Sequence, residues 1–146
     1  MKPEIFICHC VHDKEIVSNL EQIFVEEGFD TRTDLRVIRD GEPLQEPAKE
    51  AIQNASSFII AISPDAPDSV WVQQETQYAL QIQKERPEYH ILPLLLNGAQ
   101  LGALKWLIPE DTHIIEMGSE PENIRKAWPE IFKALPEDIF AVKAKA

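Results

Sequence analysis

Glycine is scarce, five residues in 146, and no stretch forms a glycine-rich loop of the kind that cradles phosphate. Cysteine is scarcer still. Cys8 and Cys10 are the only two, too few and too close together for a disulfide framework, and they suit a reducing cytosol. No apolar run is long enough to span a bilayer, and no signal peptide opens the chain. A cytoplasmic protein without membrane contact is therefore expected. Positive charge is short as well: 14 Lys and Arg stand against 25 Asp and Glu, for a net charge of -11. That balance, with a pI near 4.7, argues against a nucleic-acid surface and for a solvated acidic exterior. Internal repeats, low-complexity segments and linkers are missing too.

What is present is an ordinary globular composition, 44% hydrophobic and 27% charged, in a chain long enough for one domain with a real core. The expectation is a single domain over 1–146, with its core over about 4–136 and a frayed tail at 137–146.

Short apolar runs alternate with helical patterns. Ile5-Phe6-Ile7-Cys8 reads as a buried strand, followed by a loop through His9, Cys10 and His12. Asp13 can cap the next helix, whose face carries Ile16, Leu20, Ile23, Phe24 and Glu27, and Gly28 stops it. Residues 29–32 form a weaker second strand. Residues 34–44 are polar, with Asp40-Gly41 as their turn. Pro47 suits the first turn of a second helix, where Leu44, Ala48, Ala51, Ile52 and Ala55 repeat at helical spacing. Phe58-Ile59-Ile60-Ala61-Ile62 is unbroken and apolar, a central strand. Residues 63–68 are a breaker-rich loop, and Asp68 or Ser69 caps the third helix. Residues 91–96 read as a buried strand despite Pro93, 98–107 as a short irregular helix, and 112–117 as a half-exposed last strand. Ile124, Ala127, Trp128, Ile131, Phe132 and Leu135 stripe a final helix, expected to bend at Pro129.

This alternation predicts an α/β fold: a flavodoxin-like, five-stranded parallel sheet in the order 2-1-3-4-5 with helices on both faces. Ligands of such sheets bind outside the carboxyl ends of the strands, at the switch point beside strand one. That rim would carry Cys8, His9 and Cys10, Asp34 after strand two, and Ser63 after strand three.

The third helix, from Ser69 onward, breaks its own amphipathic pattern. At about 100° per residue, Trp71, Val72, Tyr78, Ala79 and Ile82 gather on one side and Gln73, Gln74, Gln77 and Gln81 on the other. Glu75 falls in the middle of the apolar side. A carboxylate there is costly unless it is paired or hydrogen-bonded. One explanation is bland: Glu75 lies early enough in the helix for the dipole to favour it, and its chain can reach water. The other is functional, since the helix opens onto the expected cleft. Trp71 suits a pocket wall or a core aromatic. Ser63 and His9 suit contacts to a ligand in that cleft, or a strand-end cap and a satisfied loop histidine.

Other chemistries fit poorly. Cys8, His9, Cys10 and His12 are metal-ligand types, but no second cluster accompanies them, and neighbours on a strand diverge. No metal is expected. A Cys-His nucleophile lacks a marked orienting carboxylate or oxyanion hole. A phosphoreceiver would need paired acidic residues after strand one and a Lys after strand five, where Cys8-His9 and Met117-Gly118 stand.

Five pieces in order resemble the TIR (Toll/interleukin-1 receptor) domain family, its bacterial members above all. Phe6-Ile7-Cys8-His9-Cys10-Val11-His12-Asp13 is similar to the family's opening Phe-Ile-Ser-(Tyr or His)-Ser-x-x-Asp. Asp40-Gly41 falls at the glycine of the BB loop, and Ile60-Ala61-Ile62-Ser63-Pro64 looks like the third strand. Ser69-Val70-Trp71 and Glu75 match Ser-x-Trp-x-x-x-Glu, and Ile91-Leu92-Pro93-Leu94 resembles the Pro-bearing fourth strand. Cys8 and Cys10 replace the usual serines, and Arg32 stands near the position where many members carry a Trp.

The resemblance implies one of two functions. The first is an NAD+ glycohydrolase of prokaryotic, anti-phage immune signalling. It would release nicotinamide and ADP-ribose, or a cyclic isomer, with NAD+ as substrate and no cofactor. Glu75 would be the catalytic carboxylate, with Cys8, His9, Asp34, Ser63 and Trp71 about the substrate. Activity would depend on self-association with other TIR domains through the BB loop, including Arg39, Asp40, Gly41, Glu42 and Pro43, with a fused or separate sensor domain. The second is a non-catalytic TIR module working through its surfaces.

Overall fold

A computed structural model describes residues 3–10, 12–33 and 43–135. Strands β1 (Glu4–Cys8), β2 (Asp30–Arg32), β3 (Ser57–Ile62), β4 (His90–Leu96) and β5 (Ile115–Met117) form one parallel sheet, in the order β2-β1-β3-β4-β5. Helices α1 (Lys14–Glu26), α2 (Glu46–Asn54), α3 (Val70–Glu85) and α4 (Pro121–Lys133) connect or follow them. The flavodoxin-like order expected from the sequence is the one observed. β3 is buried at every position, which is why its apolar run has no polar alternation.

Side-chain alternation divides the core. Phe6, Cys8, Phe58, Ile60 and Ile62 face α2 and α3, while Ile5, Ile7, Ile59, Ala61 and Leu94 face α1 and α4. Phe6 and Phe58, partners across β1 and β3, stack with ring centroids 5.5 Å apart.

The end of α1 shows how local sequence sets the path. Gly28 adopts φ +96°, a conformation that side chains resist. The Gly28 N–H donates to the Val25 carbonyl at 3.1 Å and the Phe29 N–H to the Phe24 carbonyl at 3.0 Å. These are the two bonds of a Schellman cap. Its hydrophobic contact is present too: the Phe24 and Phe29 rings meet edge to face at 5.9 Å. The chain turns directly into β2.

The short irregular helix expected within 98–107 is a 3-10 turn, Gly102–Trp106. Three local expectations are corrected. β5 covers only Ile115–Met117 rather than all of 112–117, because it pairs with Leu94–Leu96 alone. On α1 Val17, not Ile16, is the buried residue of the first turn, and Glu27 lies past the helix end. Asp13 stands at the N-cap of α1, but its side chain caps no backbone amide. α4 runs through Pro129 to Lys133, and Pro93 lies one residue before β4 begins to pair with β5, where the missing N–H is tolerated. No described helix is long and apolar enough to cross a membrane.

Candidate functional site

The carboxyl ends of β1 and β3 lie side by side, Cys8 opposite Ile60. From the end of β3 the chain passes through Ser63 and a short 3-10 turn, Ala66–Asp68, into α3. Ser69 is the cap: its hydroxyl accepts the Val72 N–H at 3.3 Å, and its backbone is extended, as an N-cap requires. Asp68, the other candidate, closes the 3-10 turn instead. The Gln73 side-chain amide reaches back to the Pro67 carbonyl at 2.8 Å. The start of α3 is thus tied to its own entry loop.

Glu75 is 1% exposed. Its helix buries Val72, Glu75, Thr76, Ala79 and Ile82 against the sheet. The carboxylate is therefore held on the inward face beside alanine and β-branched side chains, as the helical periodicity requires. Trp71, one turn earlier, is only half-buried, and Tyr78 likewise. Trp71 is thus partly open rather than a core residue. Thr76, fully buried, went unremarked in the sequence because a threonine reads as polar; its place four residues after Val72 and three before Ala79 was the available signal.

Cys8 is fully buried at the end of β1, and its Sγ lies 3.9 Å from the Val72 carbonyl. β1 thus meets α3 three residues before Glu75. Cys10 is buried in the same cluster. Both are thiols, not a disulfide. Among the described residues, no group of three or more His, Cys, Asp or Glu could hold a metal.

His9 is 6% exposed. Its Nδ1 lies 2.8 Å from the Cys10 carbonyl, which can only accept, so Nδ1 carries the proton. In the neutral ring, Nε2 is then an acceptor. It is buried, with no hydrogen-bond partner. Sequence alone left His9 between a satisfied loop residue and a ligand contact; half of the ring is satisfied and half is open.

Ser63 is 3% exposed and donates its hydroxyl proton to Asp13 Oδ2 at 2.5 Å. Its lone pairs alone remain for a substrate. Asp13, 7% exposed, is the site residue missed by sequence reasoning: it was read as a cap, and its partner lies fifty positions away. Asp34, Arg39, Asp40, Gly41 and Glu42 lie outside the described residues. Pro43 is described and exposed, ahead of α2. The structure therefore brings Cys8, His9, Ser63, Trp71 and Glu75 to one end of the sheet.

No curated protein sequence matches the chain. Solved structures do. The TIR domains of the activated Roq1 resistosome, which directly recognizes the pathogen effector XopQ, share 20% identity over 66% of this chain with a TM-score of 0.54; the chain spans 58% of that one. The TIR domain of the Toll-related receptor TRR-2 of Hydra magnipapillata shares 19% identity, with 88% of this chain and 94% of that one covered and a TM-score of 0.62. BcmB, a CMP N-glycosidase of Clostridium botulinum, shares 14% identity, with 87% and 98% covered and a TM-score of 0.54. These likenesses establish the fold. The TIR-domain family model matches residues 5–127, nearly the whole of the described sheet and its helices, and the chain belongs to the TIR domain family.

Proposed function

We propose that this TIR domain cleaves NAD+ at the nicotinamide–ribose bond, with Glu75 as its catalytic carboxylate. The observation that carries the reading is the placement of Glu75. It is a carboxylate 1% exposed on the inward face of α3, at the end of the sheet where this topology binds ligands. A fold kept only for its surfaces has no need of an acid at this place, where an apolar side chain would pack as well.

The chemistry asks for little more. Nicotinamide in NAD+ is already cationic, so it leaves without a proton. The bond from C1′ to the nicotinamide nitrogen breaks, and its electron pair goes to that nitrogen. The ribose becomes oxocarbenium-like, and a nearby anion stabilises it. Water then adds at C1′ and loses a proton to solvent, or a hydroxyl of the same molecule adds and gives a cyclic product. Ordinary glycosidases use two carboxylates because their leaving groups need protonation; one suffices here. Trp71 forms an aromatic wall, while Cys8, His9, Ser63 and Asp34 contact the rest of the substrate. That BcmB, on this fold, is an N-glycosidase supports the reaction class.

A carboxylate this deeply buried is closed to a dinucleotide, which supports an enzyme that opens on assembly. The Roq1 TIR domains, part of a resistosome, support self-association of this domain. The BB-loop residues Arg39, Asp40, Gly41, Glu42 and Pro43 would contribute to it, downstream of a sensor in bacterial immunity.

The second reading, a non-catalytic interaction module, is favoured by Trp106, a large hydrophobic residue 82% exposed. Nicotinamide release by the purified domain separates the two. Glu75→Gln keeps volume and hydrogen-bonding reach but removes charge, and the expected loss is on the order of 10²–10³ in rate. The melting temperature should stay close to that of the wild type, since glutamine fills the same volume with the same hydrogen-bonding reach. Near-wild-type turnover by Glu75→Gln would overturn the assignment. Specific activity should also rise steeply with protein concentration; a constant value over a broad dilution series would make the monomer sufficient.

A further inference from the structure

We propose that Asp13 is a positioning residue for Glu75, acting through Ser63 as a clasp between the two loops that frame the site. The inference rests on the reading of Glu75 as the catalytic group. Three observations carry it. First, Asp13 sits at the N-cap of α1, yet its side chain bonds no amide of that helix. Its Oδ2 accepts the Ser63 hydroxyl at 2.5 Å instead, with both residues buried. The preferred local partner of a cap aspartate has been given up for a contact across the sheet. Second, each end of the clasp is fixed to its own loop. The Asp13 N–H donates to the Cys10 carbonyl at 3.0 Å, and the Ser63 carbonyl accepts the Ala66 N–H at 3.1 Å. The bond therefore holds segments, not loose side chains.

Third, the loop beginning at Ser63 is held over its later half, at Pro67 and Ser69, up to α3. Gly102 adopts φ +55°, and a Cβ there would lie 2.7 Å from Cβ of Pro67, so the turn after β4 packs directly on the loop. Gln73 and Ser69 close the far end. With that much of the entry loop held, the remaining freedom of α3 relative to β1 is set where the loop leaves β3, at Ser63. The clasp fixes that point to the segment that carries Cys8, His9 and Cys10. Glu75 is thereby held in register with the opposite wall of the cleft, which is where a carboxylate aimed at C1′ must be accurate.

The experiment compares Asp13→Ala, Ser63→Ala, the double variant, Asp13→Asn and a control, Asn19→Ala. Asn19 makes a part-buried bond to the Ser119 carbonyl at 3.2 Å and touches neither Asp13 nor Ser63 through it. All are assayed well below their melting temperatures. Asp13→Ala is expected to lower kcat by about 10-fold to 100-fold through misplacement, with little change in KM. Ser63→Ala should lower kcat by the same factor, with a rise in KM from its own contact to substrate, and the double variant should lower kcat no further than either single one. Asp13→Asn, which keeps an acceptor oxygen, should retain most of kcat, and Asn19→Ala should retain all of it. A second readout needs no substrate. Cys8 and Cys10 lie beneath the clasped loop, so maleimide labelling of the native protein should speed up in Asp13→Ala and Ser63→Ala but not in Asn19→Ala. Ser63→Ala keeps the test intact if Asp13→Ala fails to fold. Unchanged labelling in both clasp variants overturns the clasp, and faster labelling with unchanged kcat overturns its link to Glu75. A wild-type domain that releases no nicotinamide overturns the proposed function instead, and the labelling still decides the clasp.

Discussion

On the face of the sheet covered by α1 and α4, aromatic rings close the packing. Phe24 meets Trp128 edge to face at 5.1 Å, Phe29 meets Trp128 at 5.9 Å, and Trp128 stacks on Phe132 at 6.1 Å. On the face covered by α2 and α3, the helices bring alanines to the sheet, Ala48 and Ala51 from one and Ala79 from the other. That same face buries two thiols, Glu75, Thr76 and the Tyr89 hydroxyl. Aromatic area is the larger hydrophobic contribution per residue. Buried polar groups subtract from stability unless each is satisfied. Both faces carry aromatic packing, Phe6 on Phe58 in the α2/α3 one, but there the helices meet the sheet through small side chains and bring a buried carboxylate with them. Proteins are expected to break the folding rules where they work, and here the buried carboxylate lies on the α2/α3 face.

The comparison can be broken most forcefully from the aromatic side. Phe24 is fully buried and touches both Phe29 and Trp128. Phe24→Ala is expected to cost about 3–5 kcal/mol of stability, read from urea unfolding. Nicotinamide release per folded molecule, measured well below the new midpoint, should be unchanged. A fall in kcat in the folded variant would show that the two faces are coupled, and the division of labour would fail. The contrast with Glu75→Gln is sharp: there activity should collapse while stability stays close to that of the wild type.

The same contrast explains what could be read without coordinates. β1, β3 and β4 were legible because strands buried on both faces leave unbroken apolar runs, and these three fix the topology. Glu75 was legible because a carboxylate on an apolar helix stripe violates a periodic pattern. The aromatic stripe of α4 was legible for the reason that it obeys one. What failed to show were interactions without periodicity. Asp13 carries a sound local cap signal, and nothing near it announces that Ser63 will win its side chain. Trp71 sits at the edge of its helical stripe, where a few degrees of rotation separate a core residue from a half-open wall. β5 was drawn too long because 112–117 alternates plausibly, whereas its length is set by the short stretch of β4 available to pair with it.

The smallest expected effect sharpens the comparison, because it tests a polar group on the α2/α3 face that lies away from the rim. α2 ends without a glycine: its C-cap is Ala55, in extended conformation. The last carbonyls of a helix lack intrahelical donors. Here side chains from the α3–β4 connection supply them. The Tyr89 hydroxyl donates to the Ile52 carbonyl at 2.8 Å, and the Arg86 guanidinium to the Gln53 carbonyl at 2.7 Å. Tyr89→Phe keeps the ring and removes the donor, which should cost about 1–2 kcal/mol and leave nicotinamide release untouched. Burial pushes the Tyr89 hydroxyl well above its ordinary pKa, outweighing the nearby Arg86 guanidinium, which pulls it down. The sign follows: the folded protein holds this proton at a pH where the unfolded chain releases it. The stability contributed by Tyr89 is thus complete below about pH 10 and is lost as the pH climbs further. Urea midpoints of wild type and Tyr89→Phe should differ at neutral pH and converge in strong alkali. If they stay parallel, the hydroxyl is not held protonated by burial. If Tyr89→Phe loses turnover instead, polar groups across this whole face serve catalysis, and the working region is wider than the rim.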